Sequence, residues 1–181
     1  MPVRRTWFVV VALLMVSCAP DPDGDAATLT TVDGVALAVP ADWSEQPADE
    51  TPGVVTSRRW APGEGVEHLQ VVVGCDGSAA ELAAGAAQAP RDPLVVTDAV
   101  ELDAPAVPGL DAVHRLRLTL GAGRPDDAST VRVSGLYGEA GDTLVLVEVA
   151  RRAGASNVVA DAILDSVEVD RDTVLAACEE R

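Results

Sequence analysis

One strand can be read directly from residues 112–120, AVHRLRLTL. Its three leucines alternate with arginine and threonine, and a period of two is the pattern of a β-strand with one buried face. Arg115 and Arg117 occupy the opposite phase from the leucines and are predicted to point outward. A strand that buries one face and exposes the other is typical of an antiparallel sheet that is covered on one side.

Further strands precede and follow this one. Asp33-Gly34 separates two short apolar runs, and this dipeptide favours a tight hairpin turn. Alternating or β-branched runs predict the remaining strands at residues 29–32, 35–39, 54–60, 66–74, 94–102, 130–137, 143–150 and 166–169.

Two segments have a helical pattern instead. Residues 78–88 are alanine-rich, and Ser78 with Glu81 three positions later forms a capping box. A second helix is predicted to start at Ser156. The apolar residues expected on one side of it are Val158, Val159, Ala162 and Ile163. The chain is therefore predicted to have an α+β fold, an antiparallel β-sheet meander with two helices packed against it.

The amino terminus has the layout of a secretory signal. Arg4 and Arg5 precede an apolar run of ten residues, 7–16, which is too short to span a bilayer because a spanning helix needs about 20 residues. The run ends in LMVSC, residues 14–18, which resembles the bacterial lipobox. We expect cleavage before Cys18 and attachment of lipid to that cysteine. The alternative is an ordinary signal peptide in which the cysteine is coincidental.

The predicted organisation follows from that cleavage point. Residues 1–17 form the signal peptide, residues 18–27 a lipidated tether, residues 28–170 the domain, and residues 171–181 a C-terminal tail. We expect the protein on the extracytoplasmic face of the cell membrane, held there through its lipid anchor.

Composition excludes some partners. The formal net charge is −16, and every basic residue is arginine. Such an acidic chain lacks the basic surface that nucleic acid requires, and it gains nothing from anionic lipid head groups. Nucleic acid is therefore not an expected partner, and the anchor is expected to provide the attachment to the membrane.

Two cysteines besides Cys18 are present, Cys75 and Cys178. Outside the cell an even pair predicts one disulfide bond. Two free thiols or a redox site are the alternatives, although the chain has no Cys-x-x-Cys motif, which redox sites often use.

Two short stretches carry a family resemblance. Residues 35–43, VALAVPADW, resemble the opening strand and Pro-x-x-Trp turn of the Mog1/PsbP-like fold, and residues 163–169, ILDSVEV, resemble its last helix and strand. The resemblance covers about residues 28–170 and extends to LpqN-type lipoproteins of actinobacterial envelopes. It implies a binding or accessory role and supplies no catalytic residues.

Candidate chemistry is sparse. His68 and His114 are the only histidines, and neither has the neighbours that a metal site needs, so no metal and no cofactor are expected. Nucleophile-elbow and phosphate-loop motifs are absent from the sequence. Arg115, Arg117 and Arg132 share one side of strands that are expected to be neighbours. They are candidates for binding an anionic ligand, or they pair with carboxylates such as Glu148.

These features predict a membrane-anchored, non-catalytic binding or accessory module of the cell envelope. Its expected partner is a protein or a small envelope component. A hydrolase with scattered catalytic residues and a purely structural envelope protein are the alternatives.

Overall fold

A computed structural model describes residues 27–47, 54–63, 65–88, 94–121 and 130–179. The predicted signal peptide, Cys18 and nearly all of the tether lie outside these residues. Within them, no helix is long and apolar enough to cross a membrane.

The described chain contains ten strands and three helices. In chain order they are β1 (Ala27–Val32), β2 (Val35–Pro40), β3 (Ser44–Gln46), β4 (Val54–Ala61), β5 (His68–Cys75), α1 (Ala79–Gln88), β6 (Val95–Leu102), β7 (Ala112–Gly121), β8 (Val131–Ala140), β9 (Thr143–Arg152), α2 (Val158–Asp165), β10 (Glu168–Val169) and α3 (Arg171–Glu179). The α+β class and the antiparallel pairing predicted from the sequence are confirmed.

The strands form two sheets rather than the single meander that we predicted. A seven-stranded sheet has the order β3-β4-β5-β9-β8-β7-β6, and a three-stranded sheet has the order β1-β2-β10. The meander is interrupted because α1 carries the chain from β5 to the far edge, so β5 pairs with β9 and not with β6. The hairpin β1–β2 buries Val35 and Leu37 in the core against the large sheet instead of extending its edge.

The large sheet is covered on both faces. On one side, here called the α1 face, Leu116, Leu118 and Leu120 form a core with α1 through Ala83. The other side, the α2 face, packs against the three-stranded sheet and α2, and its core includes Val71. The alternation predicted for residues 112–120 is confirmed. The arginines that alternate with the leucines, however, face α2 and not open solvent.

The helix starts agree only in part with the prediction. Ser78 Oγ accepts the Glu81 N–H at 3.2 Å and caps α1 as expected. In α2 the N-cap residue is Asn157, but its side chain makes no capping hydrogen bond, whereas Ser156 Oγ accepts the Val158 N–H at 3.2 Å as a cap would. The predicted buried side of α2 is only partly right: Ile163 is buried and Val159 packs against the core, but Val158 is 71% exposed. The helix packs through a stripe at i, i+3 and i+4 spacing. That stripe consists of Ala160, Ile163 and Leu164.

Helix α3 occupies residues that we predicted to be a tail. Asp170 accepts hydrogen bonds from the N–H and hydroxyl of Thr173, which caps the helix start. Val174 is fully buried in the main core. The Asp33-Gly34 turn lies against this helix, since the Asp170 N–H donates to the Gly34 carbonyl at 2.8 Å. Both turn residues have positive φ, which confirms the predicted tight hairpin.

Candidate ligand pocket

Arg115 and Arg117 project from the α2 face of β7 toward carboxylates of α2. Arg115 Nη1 lies 2.7 Å from Asp165 Oδ1, and its Nη2 lies 3.0 Å from Asp161 Oδ1. Arg117 Nη2 lies 3.3 Å from the same Asp161 oxygen. These ion pairs agree with the interpretation that the arginines pair with carboxylates. The guanidinium groups that an anionic ligand would need are therefore already paired with Asp161 and Asp165.

Glu148 was the carboxylate suggested as a partner for these arginines, and the structure places it elsewhere. Arg117 is opposite Ser134 across β7 and β8, whereas Glu148 is opposite Gly135 across β8 and β9. Because neighbouring residues of a strand point to opposite faces, Glu148 lies on the α1 face and not beside the arginines.

Arg132 shares the α2 face with the other two arginines but lies apart from their ion pairs. It is exposed, and its neighbours across the strands are Thr119 and Arg151. Two like charges directly opposite each other do not form a compact site by themselves. The structure therefore brings Arg115 and Arg117 together and leaves Arg132 outside their cluster.

The remaining predicted site residues are placed as follows. Cys75 and Cys178 form a disulfide that joins β5 to α3, with Cα atoms 5.8 Å apart. His114 Nδ1 lies 2.9 Å from Glu101 Oε1. Among the described residues, no group of histidine, cysteine and acidic side chains is arranged to hold a metal ion.

A pocket of about 300 Å³ opens on the α1 face. Most of its wall is aliphatic, and polar side chains enter from three strands: Arg59 of β4, His68 of β5 and Glu148 of β9. The aliphatic residues of the wall are Val66, Leu94, Leu120, Val131, Val133 and Ala150. An apolar concavity with a few converging polar groups is the usual form of a small-molecule site.

Glu148 is the buried carboxylate of this pocket. It is only 5% exposed, and the fully buried Tyr137 hydroxyl donates to its Oε1 at 2.7 Å. Burial of a carboxylate is costly unless hydrogen bonds or an opposite charge compensate it. The hydrogen bond from Tyr137 is one of the interactions that compensate this burial.

Gly135 makes the contact between Tyr137 and Glu148 possible. It is directly opposite Glu148 in β9, and a Cβ on Gly135 would lie 2.7 Å from the Tyr137 hydroxyl oxygen. The tyrosine ring thus lies over the glycine backbone and reaches across to the carboxylate. Glycine inside a strand often marks such a close approach.

Arg59 and His68 supply the other polar groups of the wall. The buried Nε of Arg59 has no hydrogen-bond acceptor among the described residues. His68 Nδ1 lies 2.9 Å from the Val66 carbonyl oxygen, so this nitrogen carries the proton. In the neutral ring the second nitrogen of His68 is then an acceptor.

Sequence reasoning missed this pocket. Two signals for it were present in the chain, namely an acidic residue in the middle of the apolar strand 143–150 and a glycine in the middle of the strand 130–137. The order of the strands was needed to find the pocket, because β9 is far from β4 and β5 in the chain and lies beside β5 only in the folded sheet.

A larger depression of about 590 Å³ lies beside the disulfide. Its wall contains Cys75 and Cys178 together with Asp76, Asp142 and Glu179. The acidic side chains there are solvated groups at the ends of strands and of α3, and none of the described residues in this wall is basic.

The two sheets, their antiparallel order and the helices on both faces define the chain as a protein of the Mog1/PsbP-like fold. The fold is similar to the solution structure of cyanobacterial PsbP, CyanoP, from Synechocystis sp. PCC 6803. That similarity has a TM-score of 0.53 and 14% sequence identity, and it covers 86% of this chain and 98% of that one. The fold predicted by the sequence resemblance is thereby confirmed.

A mutant of the protein Mog1 also aligns, with a TM-score of 0.40 and 12% identity over 86% of this chain and 92% of that chain. No protein-family model matches the chain. No curated protein matches it either.

Proposed function

We propose that this protein is a lipid-anchored binding module on the extracytoplasmic face of a bacterial cell membrane, and that it has no catalytic role. The observation that carries the binding role is the pocket of the α1 face, where the buried Glu148 lies within an aliphatic wall.

The proposed compartment is supported by two independent features. Residues 1–18 combine two arginines, a short apolar run and a lipobox-like cysteine. The disulfide between Cys75 and Cys178 needs an oxidising environment to persist, and the space outside the cytoplasmic membrane provides one. The chain also resembles LpqN-type proteins, which are lipoproteins of actinobacterial envelopes. This resemblance and the lipobox-like cysteine both favour an actinobacterial envelope lipoprotein.

The non-catalytic role is supported by where the histidines point. His114 is held by Glu101 at the edge strand β6, and His68 is held by a main-chain carbonyl. In a hydrolase of the serine type, the histidine would lie within hydrogen-bond reach of the nucleophile and of an orienting acid. His114 instead has its acid partner on an exposed edge.

The proposal is tested by expressing the full chain in a bacterium that processes lipoproteins and supplying an alkyne-tagged fatty acid. We expect the chain in the membrane fraction and labelled by the fatty acid. Protease added to intact cells, under conditions in which it reaches the outer face of the cytoplasmic membrane, should degrade the chain. Cys18→Ala should abolish labelling and release the chain from the membrane. Label that persists in Cys18→Ala, or a chain that stays in the cytoplasm, would contradict the proposal.

A further inference from the structure

The strands at the edges of the two sheets differ in how they are protected. Strand β3 has only three residues, and β10 has only two. Strand β6 is longer, but its pairing shifts register between Val96 and Asp98, and it carries a second acid, Glu101. Short length, bulges and charges are the usual means by which an edge strand avoids pairing with another chain. The fourth edge strand, β1, has none of these features.

Strand β1 has a regular, uncharged edge. All six of its residues pair with β2 without a register shift, and its sequence, ATLTTV, contains no charge and no proline. Within the described part of the chain, no strand pairs with its other edge. Leu29 in its middle is 73% exposed, and Ala27 and Thr28 are exposed too, so both faces of the strand are open there. A further strand can therefore approach β1.

The hairpin turn determines which backbone groups of β1 point to the open edge. Val32 and Val35 flank a two-residue turn in which both residues have positive φ, and such flanking residues form a hydrogen-bonded pair. Hydrogen-bonded and non-hydrogen-bonded pairs alternate along an antiparallel ladder. The pair of Leu29 and Ala38 is therefore of the second kind, and the Ala38 N–H accordingly donates away from β1, to Ser166 Oγ at 2.9 Å. The residues that direct their N–H and C=O groups to the open edge are Ala27, Leu29 and Thr31.

This edge is complementary to itself. When β1 pairs antiparallel with β1 of a second copy, Leu29 can lie opposite Leu29, and Ala27 then lies opposite Thr31 at both ends. Each of these pairs is of the hydrogen-bonded kind, because its members direct their backbone groups outward, and each pair exchanges two hydrogen bonds. A register displaced by two residues keeps fewer such pairs within β1. The arrangement has the two-fold symmetry that most homodimers have.

Electrostatics and anchoring both favour a second copy at this edge. The formal net charge is −16, so two copies repel each other where charged surfaces meet, but β1 brings no charge to the contact. Ala27 follows Cys18 by nine positions, and a chain of that length reaches at most about 30 Å. In the Leu29-centred register the two Ala27 residues are about 14 Å apart along the strands, so both anchors can reach one membrane. Confinement to one membrane raises the concentration of β1 edges, as tethering does in multivalent binding.

We propose that two copies of this protein pair through β1 at the membrane, antiparallel and around a two-fold axis at Leu29, so that their three-stranded sheets join into one continuous sheet. The inference uses the anchoring proposed above and adds a homodimer to it. The backbone of β1 supplies the hydrogen bonds, and the two Leu29 side chains lie together on the exposed face. Strand β1 belongs to the sheet that covers the α2 face, so the pocket of the α1 face is not part of the contact.

Cysteine crosslinking in membranes tests the pairing. The full chain with Leu29→Cys is expressed in a bacterium that processes lipoproteins, and the isolated membranes are oxidised with copper phenanthroline before non-reducing electrophoresis. Paired strands place the two Leu29 Cα atoms about 5.5 Å apart, within the range of about 4.4–6.8 Å that a disulfide spans. We expect a product of twice the mass of the chain that is lost on reduction. Co-expressed copies with two tags of different mass should also give a mixed product.

Two variants with the new cysteine elsewhere are matched controls. In the proposed register the two Thr31 Cα atoms are about 14 Å apart, and Val100 lies on β6, away from the contact; both side chains are exposed. Thr31→Cys and Val100→Cys should each give at least about tenfold less dimer than Leu29→Cys. Ala27→Cys combined with Thr31→Cys should restore the dimer, because these two positions are opposite each other. Equal amounts of dimer in all variants would reveal random collision and would overturn the proposal.

A proline tests whether the backbone makes the contact. The Thr31 N–H points to the open edge, so Thr31→Pro removes a donor of the dimer and leaves the pairing of β1 with β2 intact. Combined with Leu29→Cys, it should reduce the dimer to the level of Val100→Cys, with an unchanged melting temperature by circular dichroism. Undiminished crosslinking in this double variant would overturn the strand pairing. A Leu29→Cys product that contains a different protein would overturn the second copy as the occupant.

The fatty-acid label on the same membranes separates this inference from the proposed function. A labelled chain whose Leu29→Cys variant stays monomeric overturns the dimer and leaves the anchored module standing. An unlabelled chain overturns the anchoring, and the crosslink at position 29 then still decides whether β1 pairs with a second copy.

Discussion

Replacing both Cys75 and Cys178 with alanine measures how much the disulfide stabilises the folded domain. The bond closes a loop with a sequence separation of 103 residues, between the end of β5 and the last turn of α3. In the chain-entropy model a loop of about 100 residues contributes about 4.7 kcal/mol, by restricting the unfolded chain. The effect depends on loop length and not on contacts of the sulfur atoms.

We therefore expect the double variant to unfold more easily by about 4–5 kcal/mol. At about 2–4 °C per kcal/mol for a chain of this size, the melting temperature should fall by roughly 8–20 °C. Urea denaturation followed by circular dichroism gives the free energy of unfolding, and differential scanning calorimetry gives the melting temperature. The native chain treated with a thiol reductant should lose a similar amount.

Cys18→Ala with Cys75 and Cys178 intact is the matched reference, and the double variant is made in the same background, so that neither chain carries lipid and only the disulfide differs. A loss below about 1 kcal/mol in the double variant would refute the loop-closure argument. It would show instead that α3 is held mainly by Val174 and by the Arg171–Asp111 ion pair, whose nitrogen and oxygen are 2.8 Å apart.

Three further predictions concern single positions. Gly135→Ala should destabilise the fold by about 1–3 kcal/mol, because the added Cβ would meet the buried Tyr137 ring. A chemical denaturation curve equal to that of the native chain would contradict this packing. Gly85→Ala, in α1 with open space around it, should instead stabilise by about 0.5–1 kcal/mol in the same assay, and a loss would show that the helix surface is not open there. The hydrogen bond from Arg171 holds the pKa of Asp111 below its ordinary value of 3.8, so Asp111→Asn should be less stable than the native chain at pH 6. That difference should shrink as the pH falls through the lowered pKa, and a difference that stays constant from pH 6 to pH 2 would refute this linkage.

The strand pattern was readable in the sequence because burial in a sheet has a period of two. Residues 112–120 show that period without interruption, and Leu118 is fully buried as predicted. The same pattern does not reveal which strands are neighbours. The pairing of β5 with β9 spans about half the chain, and it depends on where α1 crosses the sheet.

Helix α3 escaped prediction because its sequence, RDTVLAACE, carries one fully buried apolar residue, Val174, and no broad apolar stripe. Its position depends on contacts distant in sequence, namely the disulfide to Cys75 and the hydrogen bond from Asp170 to Gly34. Helices that are stabilised by tertiary contacts in this way show weak local signals.

The candidate pocket was hidden for the same reason. Arg59, His68 and Glu148 lie on three strands, and each is an ordinary residue of its own segment. The arginines that did stand out, Arg115 and Arg117, stood out because they alternate with leucines in one strand. The structure shows that α2 supplies their acidic partners, Asp161 and Asp165.

Processing and lipid anchoring outside the cytoplasm can be read together from the intact mass of the chain extracted from membranes. We expect a polypeptide that begins at Cys18, is heavier by its acyl groups, and gains two hydrogen atoms on reduction because Cys75 and Cys178 are joined. A mass that matches the unprocessed chain from Met1, or an unmodified polypeptide with free thiols, would contradict it.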